Sequence, residues 1–482
     1  MSRASGPRDH VVAAARVEGE EPPAGLQAAQ YVGYTSGDIA NNLTFTLVSM
    51  FLLVYYTDVV GIAAGAAGTI LFVARVWGAF TDVFAGRMVD RTRTRWGRFR
   101  PFFLFGATPL MLLAVATFSV PTGLGQTAAL VYAYVTYMLF YLAYSLVNIP
   151  YGSLASAMTQ MPDERARLSS SRMIGAATAV VALNVAVAPQ ISRSADLQRS
   201  LTITTLVVAV IGIALYLFLF ATSRESAVRD EAPLSLRQNA AAIGRNKALL
   251  LLCLSALLCL TGMFVLQTLQ VYYARDVLGN VDYTILLAAL TTGAIFVVSP
   301  LMPRVAAAFG KKTAYITAGG ITATGGVGVA LIPPSQLVLA MVSFAVYGIG
   351  ISGVQALMFA LQADTVEYGE WASGVRTEGT DYAALSFTRK LGQGVGGALA
   401  GWGIGVGGYA AGSATQTPGA LDTIRYLTGF GPAVFVGVGA AVMLAYPLTE
   451  ERFRTIVVEL THRRSERQAQ DPGGAPARRP PR

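Results

Sequence analysis

Six ionisable side chains interrupt long apolar runs in this chain of 482 residues: Asp38, Arg75, Asp82, Arg172, Arg389 and Lys390. At the centre of a membrane-crossing helix such a group costs at least about 2.5–3.5 kcal/mol on insertion scales, so each is a candidate for binding or relay chemistry. The stretch YTSGDIANNLTF, residues 34–45, is the densest in polar groups. Tyr34, Asp38, Asn41 and Asn42 recur at i, i+4, i+7 and i+8 and share one helical face. A carboxylate accepts hydrogen bonds from two vicinal hydroxyls, and an amide both donates and accepts, which suits a sugar. The alternative for Asp38 is an internal staple to a neighbouring arginine.

Three further segments carry such chemistry. ARVWGAFTDVFAG sets Arg75 and Asp82 two turns apart on one face, with Gly78 between them. Asp82 is the candidate acid for a coupling cation, and Arg75 the cation that neutralises it. YLAYSLVNIPYGSL lines one side of a helix with Tyr144, Ser145, Asn148 and Tyr151. Pro150 has no N–H, and its ring displaces the Leu146 carbonyl from its helix bond. A freed carbonyl among polar side chains suits a cavity wall, a packing kink being the other reading. In FTRKLGQGVGGALAGWGIG, Lys390 must point inward to a carboxylate, and Gly392, Gly396, Gly397 and Gly401 allow close helix contact. Arg389, near the expected helix start, reads as a side chain that snorkels to the interface.

The elements that position these residues follow from composition. The chain is 54% hydrophobic and 13% charged, with a mean hydropathy of +0.51; soluble domains carry roughly 25% charge. Apolar runs of about 20 residues recur, each long enough to cross a hydrocarbon core of ~30 Å. The expectation is an all-α membrane protein of about twelve helices: 31–57, 65–88, 101–121, 127–158, 169–190, 200–222, 248–274, 283–303, 313–333, 337–363, 382–409 and 423–447. A hydrophilic break at 223–247 divides them into two six-helix bundles, 31–222 and 248–447, the major facilitator plan. Residues 1–30 and 448–482 are tails, the last polar and rich in Pro, Gly and Arg and expected to be disordered.

The net charge of +9 is spread over alternate loops, not gathered on one surface. That is the positive-inside pattern of a cell-membrane protein with both termini in the cytoplasm, and it argues against nucleic acid as a partner. Cys253 and Cys259 share one apolar segment and read as small core residues; no disulfide framework is expected. His10 and His462 lie in the tails, so no metal site or histidine base is expected within the membrane. The first 30 residues lack an apolar signal core. A weak repeat links GRMVDRTRTRWGRFRP after helix 2 to PRVAAAFGKK after helix 8. In the first, Asp90 amid Arg91 and Arg98 reads as a gate that holds a helix end or an arginine in one transport state, or as topogenic charge alone.

From about Tyr31 to Tyr446 the chain resembles the glycoside–pentoside–hexuronide:cation symporters, the melibiose permease-like branch of the major facilitator superfamily. The resemblance rests on GD followed by NN and FLLVYYTDVVGI, on ARVW with TD and DRTRTRWGRFRP, on NIPYGSL and DERARLSSSR, on ADTVEYGEW, and on KLG in helix 11. It implies a sugar transporter, not an enzyme, working by alternating access with Na⁺, Li⁺ or H⁺ and no other cofactor. Asp38 then matches the sugar-binding acid of helix 1, and Arg172 the sugar-contacting arginine of helix 5. Asp82 matches the cation-binding acid, Thr81 its polar neighbour, and Lys390 the lysine between the cation and sugar sites. The expected substrate set is Asp38, Arg172, Asn148, Tyr34, Asn41, Tyr151, Gln355 and Lys390; the coupling set is Asp82, Thr81, Lys390 and Asn148.

Four departures stand out. Relatives of this type carry acids at the positions of Gly78 and Asn148, and aromatics at Gly152 and near Gln355. The missing acids favour H⁺ over Na⁺; the missing aromatics argue against a galactoside. The expected partners are a small sugar, a monovalent cation and membrane lipid, with the chain acting as a monomer. The competing readings are a lysolipid or amphiphile carrier of the same superfamily, a drug exporter, and a membrane sensor without transport.

Overall fold

In hydrocarbon every backbone N–H and C=O must be satisfied within the protein, so apolar runs of this length fold as helices. The computed structural model describes residues 26–159, 161–225, 243–374, 378–413 and 415–470. Residues 1–25 of the expected first tail, 226–242 of the expected linker and the expected disordered end 471–482 lie outside the described residues.

The first half comprises α1 (Ala28–Val54), α2 (Ala64–Arg91), α3 (Arg100–Thr117), α4 (Gln126–Met158), α5 (Pro162–Arg193) and α6 (Leu197–Thr222). The second comprises α7 (Lys247–Tyr272), α8 (Tyr283–Phe309), α9 (Lys311–Leu331), α10 (Leu337–Ser373), α11 (Glu378–Val406) and α12 (Pro418–Val442). A further helix, α13 (Glu450–Gln470), follows. Eleven described helices are long and apolar enough to cross a membrane. Of the first twelve, α11 is outside that set, because glycines, Arg389 and Lys390 dilute its apolarity; it packs all the same between α2 and α7. Helix α8 is not the continuous span expected over 283–303: it breaks after Thr291 and again around Ser299–Leu301, where Pro300 stands.

Helices α1, α5 and α6 pack together, as do α7, α11 and α12; α3 lies on α4 and α6, as α9 lies on α10 and α12. The two bundles thus meet as repeats. Their main contact is antiparallel, α2 on α11. Lipid gives helices no hydrophobic reason to associate, so small residues that let backbones approach decide where they touch. A Cβ at Gly68 would lie 2.9 Å from the Ala398 carbonyl oxygen, and one at Gly401 would lie 2.6 Å from the Gly68 Cα. Further along the same contact, Arg75 meets Gln393 and Asp82 meets Lys390. We call the end where α1 begins proximal and the opposite end distal. Among the described residues, every hydrogen bond between the bundles lies at the Asp82–Lys390 level or distal to it. Proximal to that level the bundles part and leave a cleft.

The distal ends of α1 and α7 repeat one another. Each passes into a single π-helical turn, Tyr55–Val59 (YYTDV) and Tyr273–Val277 (YARDV), and each turn leads to a glycine with φ of 77° at Gly61 or 71° at Gly279. Such turns are rare and often mark functional sites. Tyr55 and Tyr273 hold matching places: the first accepts from the Val120 N–H beyond α3, the second donates to the Val329 carbonyl of α9. Asp58 and Asp276 also correspond, whereas Thr57 corresponds to Arg275.

At the proximal end Glu225 closes the loop before α3. Its carboxylate accepts from the backbone N–H groups of Arg98, Phe99 and Arg100 at 2.7, 2.8 and 3.0 Å. An anion at a helix N-terminus satisfies donors that have no partner within the helix. A Cβ at Gly97 would lie 2.5 Å from this carboxylate, which explains the glycine in WGRFRP.

Candidate functional site

The first cluster is on α1, α4 and α5. Arg172 Nε donates to Asp38 Oδ1 at 3.2 Å, and the Asn42 amide donates to the Asp38 carbonyl and to Oδ2, both at 2.9 Å. The Arg172 guanidinium lies 5.1 Å from the centre of the Tyr151 ring, on which Tyr34 stacks at 4.9 Å. The Tyr151 hydroxyl donates to the Tyr34 carbonyl at 2.9 Å. Asp38 is therefore stapled to an arginine, as one reading of the sequence had it. The Asp38 side chain is 4% exposed while that of Arg172 remains 38% exposed, so a guanidinium edge is open to the cleft. Gly152, one residue beyond Tyr151, faces open space: a Cβ there meets nothing within 4 Å.

The second cluster joins the bundles. Lys390 Nζ of α11 forms an ion pair with Asp82 Oδ2 of α2. Ser145 of α4 donates to Asp82 Oδ1 at 2.6 Å, and its hydroxyl is 2.9 Å from that of Thr81. Asp82 is thus held by one neutral donor of its own bundle and one cation of the other. Asn148 and Gln355 are half-buried and make no hydrogen bond among the described residues.

Three expectations need correction. Asn41 does not share the cleft face with Asp38. It is three residues on, about 60° off that face, and its side-chain oxygen accepts from the Tyr216 hydroxyl of α6 at 2.8 Å, inside the first bundle. Arg75 does not neutralise Asp82. Helical side chains lean toward their own N-terminus, which carries Arg75 distally. There it donates to Gln393 Oε1 and Ser49 Oγ, both at 2.7 Å, and lies over the rings of Phe45, Tyr141 and Phe264 at 4.9, 5.6 and 5.1 Å. Arg389 does not snorkel. Helix α11 starts eleven residues earlier, at Glu378, roughly 16 Å along the axis. Its guanidinium lies 4.8 Å from the Phe359 ring centre, and its Nε is buried without an acceptor. Asp90, at the end of α2, pairs with an arginine, Arg98 of the loop that follows, and is 67% exposed; Arg91 is exposed beside it.

Sequence reading missed the distal cluster altogether. Arg275 Nη1 donates to Asp58 Oδ2 at 2.5 Å across the bundles, and its Nε and Nη2 donate to both oxygens of Asp276 at 2.7 and 2.9 Å. The Tyr409 hydroxyl of the α11 end accepts from Arg275 at 2.5 Å and donates to Asp58 at 2.9 Å. The hydroxyls of Thr57 and Tyr272 are 2.9 Å apart. The available signal was the matched pair YYTDVVG and YARDVLG, one in each half.

Comparison with known proteins agrees with this arrangement. The family described as MFS/sugar transport protein matches residues 33–450. The chain is 41% identical over 440 residues to the glucuronide carrier protein homolog of Escherichia coli (strain K12), covering 91% of this chain and 96% of that protein. It is 31% identical over 424 residues to the isoprimeverose transporter of Lactiplantibacillus pentosus, covering 86% and 87%. Among solved structures, a D-xylose-proton symporter superposes with a TM-score of 0.65 at 12% identity, over 87% of this chain and 97% of that one. An inward-facing, unoccupied bacterial homolog of the human lysosomal transporter Spinster gives 0.68 at 14%, over 90% and 98%. At those identities the structures show the fold alone; that the chain is a membrane transporter and not an enzyme rests on the family match and on the relative that is 41% identical. With its multi-pass helices, its two repeated bundles and a match over most of its length, the chain belongs to the MFS/sugar transport protein family.

Proposed function

We propose that this protein is a sugar:cation symporter that works by alternating access and couples to H⁺ in preference to Na⁺. The cleft opens at the proximal end, which the distribution of basic loops assigns to the cytoplasm together with both termini. Sugar hydroxyls bind at the exposed edge of Arg172 and at Asp38, with Tyr34, Tyr151, Asn148, Gln355 and Lys390 around them. The names of the relatives, one for a glucuronide and one for isoprimeverose, support a sugar as cargo. The protein acts as a monomer surrounded by lipid.

One observation carries the coupling: Asp82 is, among the described residues, the single carboxylate at the contact of α2 with α11, and Lys390 of the opposite bundle is its counter-ion. A proton on Asp82 removes that counter-charge and loosens the contact between bundles, which is what a coupling event must do. A buried Na⁺ needs several oxygens and, as a rule, paired negative charge. A second acid has no room at Gly78, where a Cβ would lie 2.7 Å from the Tyr141 ring, and Asn148 brings an amide. The test is sugar uptake into proteoliposomes. We expect accumulation under a pH gradient without Na⁺, lost in Asp82→Asn while sugar exchange persists. Accumulation under a Na⁺ gradient alone would overturn the proton reading.

A further inference from the structure

We infer that Arg389 is the receptor for a fixed negative charge on the substrate, so that the cargo is a sugar bearing an oxyanion and not a neutral glycoside. The inference rests on the sugar-transport reading above and deepens it.

The charges between the bundles do not balance. Asp38 pairs with Arg172, and Asp82 pairs with Lys390. Among the described residues Arg75 and Arg389 have no carboxylate, and a guanidinium stays charged in proteins. The two are treated differently. Two neutral acceptors and three aromatic faces hold Arg75. Arg389 has Phe359 on one face and, among the described residues, no hydrogen-bond acceptor at all. A buried donor left unsatisfied is costly, and a charged one more so. Such a group persists where a ligand supplies what the protein withholds.

Its position says which ligand. Arg172 is near enough to Arg389 to repel it electrostatically. Arg172 belongs to the first bundle and Arg389 to the second, so two guanidinium groups from opposite bundles lie within electrostatic reach of each other near the level of Lys390. Phe359 gives an apolar wall, and Gln355, one turn before it on α10, a neutral amide. A carboxylate or sulfonate matches the planar fork of a guanidinium with two parallel bonds. A sugar acid can lay its hydroxyls on Asp38 and Arg172 while its oxyanion reaches Arg389, linking both bundles.

The experiment uses the purified full chain in detergent and calorimetric titration with three matched ligands: nitrophenyl glucuronide, nitrophenyl glucoside and the sulfonate analogue of the glucoside. One additional charge-assisted hydrogen-bonded pair should make a charged ligand bind about tenfold to a hundredfold more tightly than the glucoside. The carboxylate and sulfonate arms tell which oxyanion is preferred. In R389Q the ratio of charged to neutral affinity should fall to about one; R389K, which keeps the charge but loses the fork, should be intermediate. Equal affinities of the unsubstituted protein for glucuronide, sulfonate and glucoside would overturn this proposal and leave sugar transport standing, even if the variants fail to fold. A charged-ligand preference that survives intact in R389Q would also overturn it. Binding of none of the three would remove the sugar reading and this inference with it.

Discussion

The two levels at which charges join the bundles are built on opposite plans. At the distal end Arg275 serves two carboxylates and a tyrosine hydroxyl, and four of its five N–H donors are used. At mid-depth Asp82 has one cation and one hydroxyl, Arg172 keeps an open edge, and Arg389 has no acceptor among the described residues. A nearly saturated network seals, because little entering from outside can improve on the partners already present. An unsaturated network binds, because a ligand can. The same residue types thus make a latch in one place and a receptor in another, and the difference lies in whether the bonding capacity is spent.

The largest effect should come from unbalancing the receptor. Asp38→Asn keeps the shape but leaves Arg172 half of its partnership, and losing one member of a buried pair costs about 3–5 kcal/mol, less here because the arginine is partly exposed. We expect sugar affinity to fall about tenfold to a hundredfold, measured by titration on protein that still reaches the membrane; near-normal affinity would show that this level is saturated after all. Next comes the latch. Arg275→Ala leaves Asp58 and Asp276 facing each other uncompensated, so the distal end should open. A cysteine placed at Thr268, buried on α7, should then react several-fold faster with a membrane-impermeant maleimide added from the distal side; an unchanged rate would mean that the ion cluster does not hold the seal.

Smaller effects separate packing from charge. Gly401→Ala sets a Cβ 2.6 Å from the Gly68 backbone, and overpacking of this kind costs about 1–3 kcal/mol. It should favour the distally open form more weakly than Arg275→Ala in the same labelling assay. A larger effect would make the glycine contact, not the ion cluster, the latch. Gly152→Ala is the smallest change: its Cβ meets open space, so uptake should stay within about twofold.

These contrasts also show what could be read in the sequence. Apolar runs and loop charge give the helices and the two bundles, because the hydrocarbon thickness imposes their length. Lys390 needs a carboxylate on another helix, and Asp82 is where it finds one. The errors have local causes. Asn41 stands three residues from Asp38, and at that spacing a face is blurred enough for the amide to turn to Tyr216. Arg75 and Asp82 share a face, but the lean of helical side chains separates them. Arg389 lies close to a helix end only if the apolar run from 382 to 409 defines the helix, whereas polar residues from Glu378 extend it. Arg275 reads as a stray charge in a basic-poor loop; its meaning depends on Asp58, more than two hundred residues away.

The bare guanidinium also makes the empty protein sensitive to voltage. With two ion pairs cancelling, Arg75 and Arg389 leave the unloaded centre positively charged, and a full charge crossing the membrane potential exchanges about 2.3 kcal/mol per 100 mV. An inside-negative potential would hold the empty centre toward the cytoplasm and resist its return. A bound monoanion cancels one of those charges and the coupling proton on Asp82 restores it, so the loaded centre would carry the same charge inward, with the potential, that the empty one carries back against it. The step that the potential slows would then be the resetting of the carrier and not the passage of its cargo.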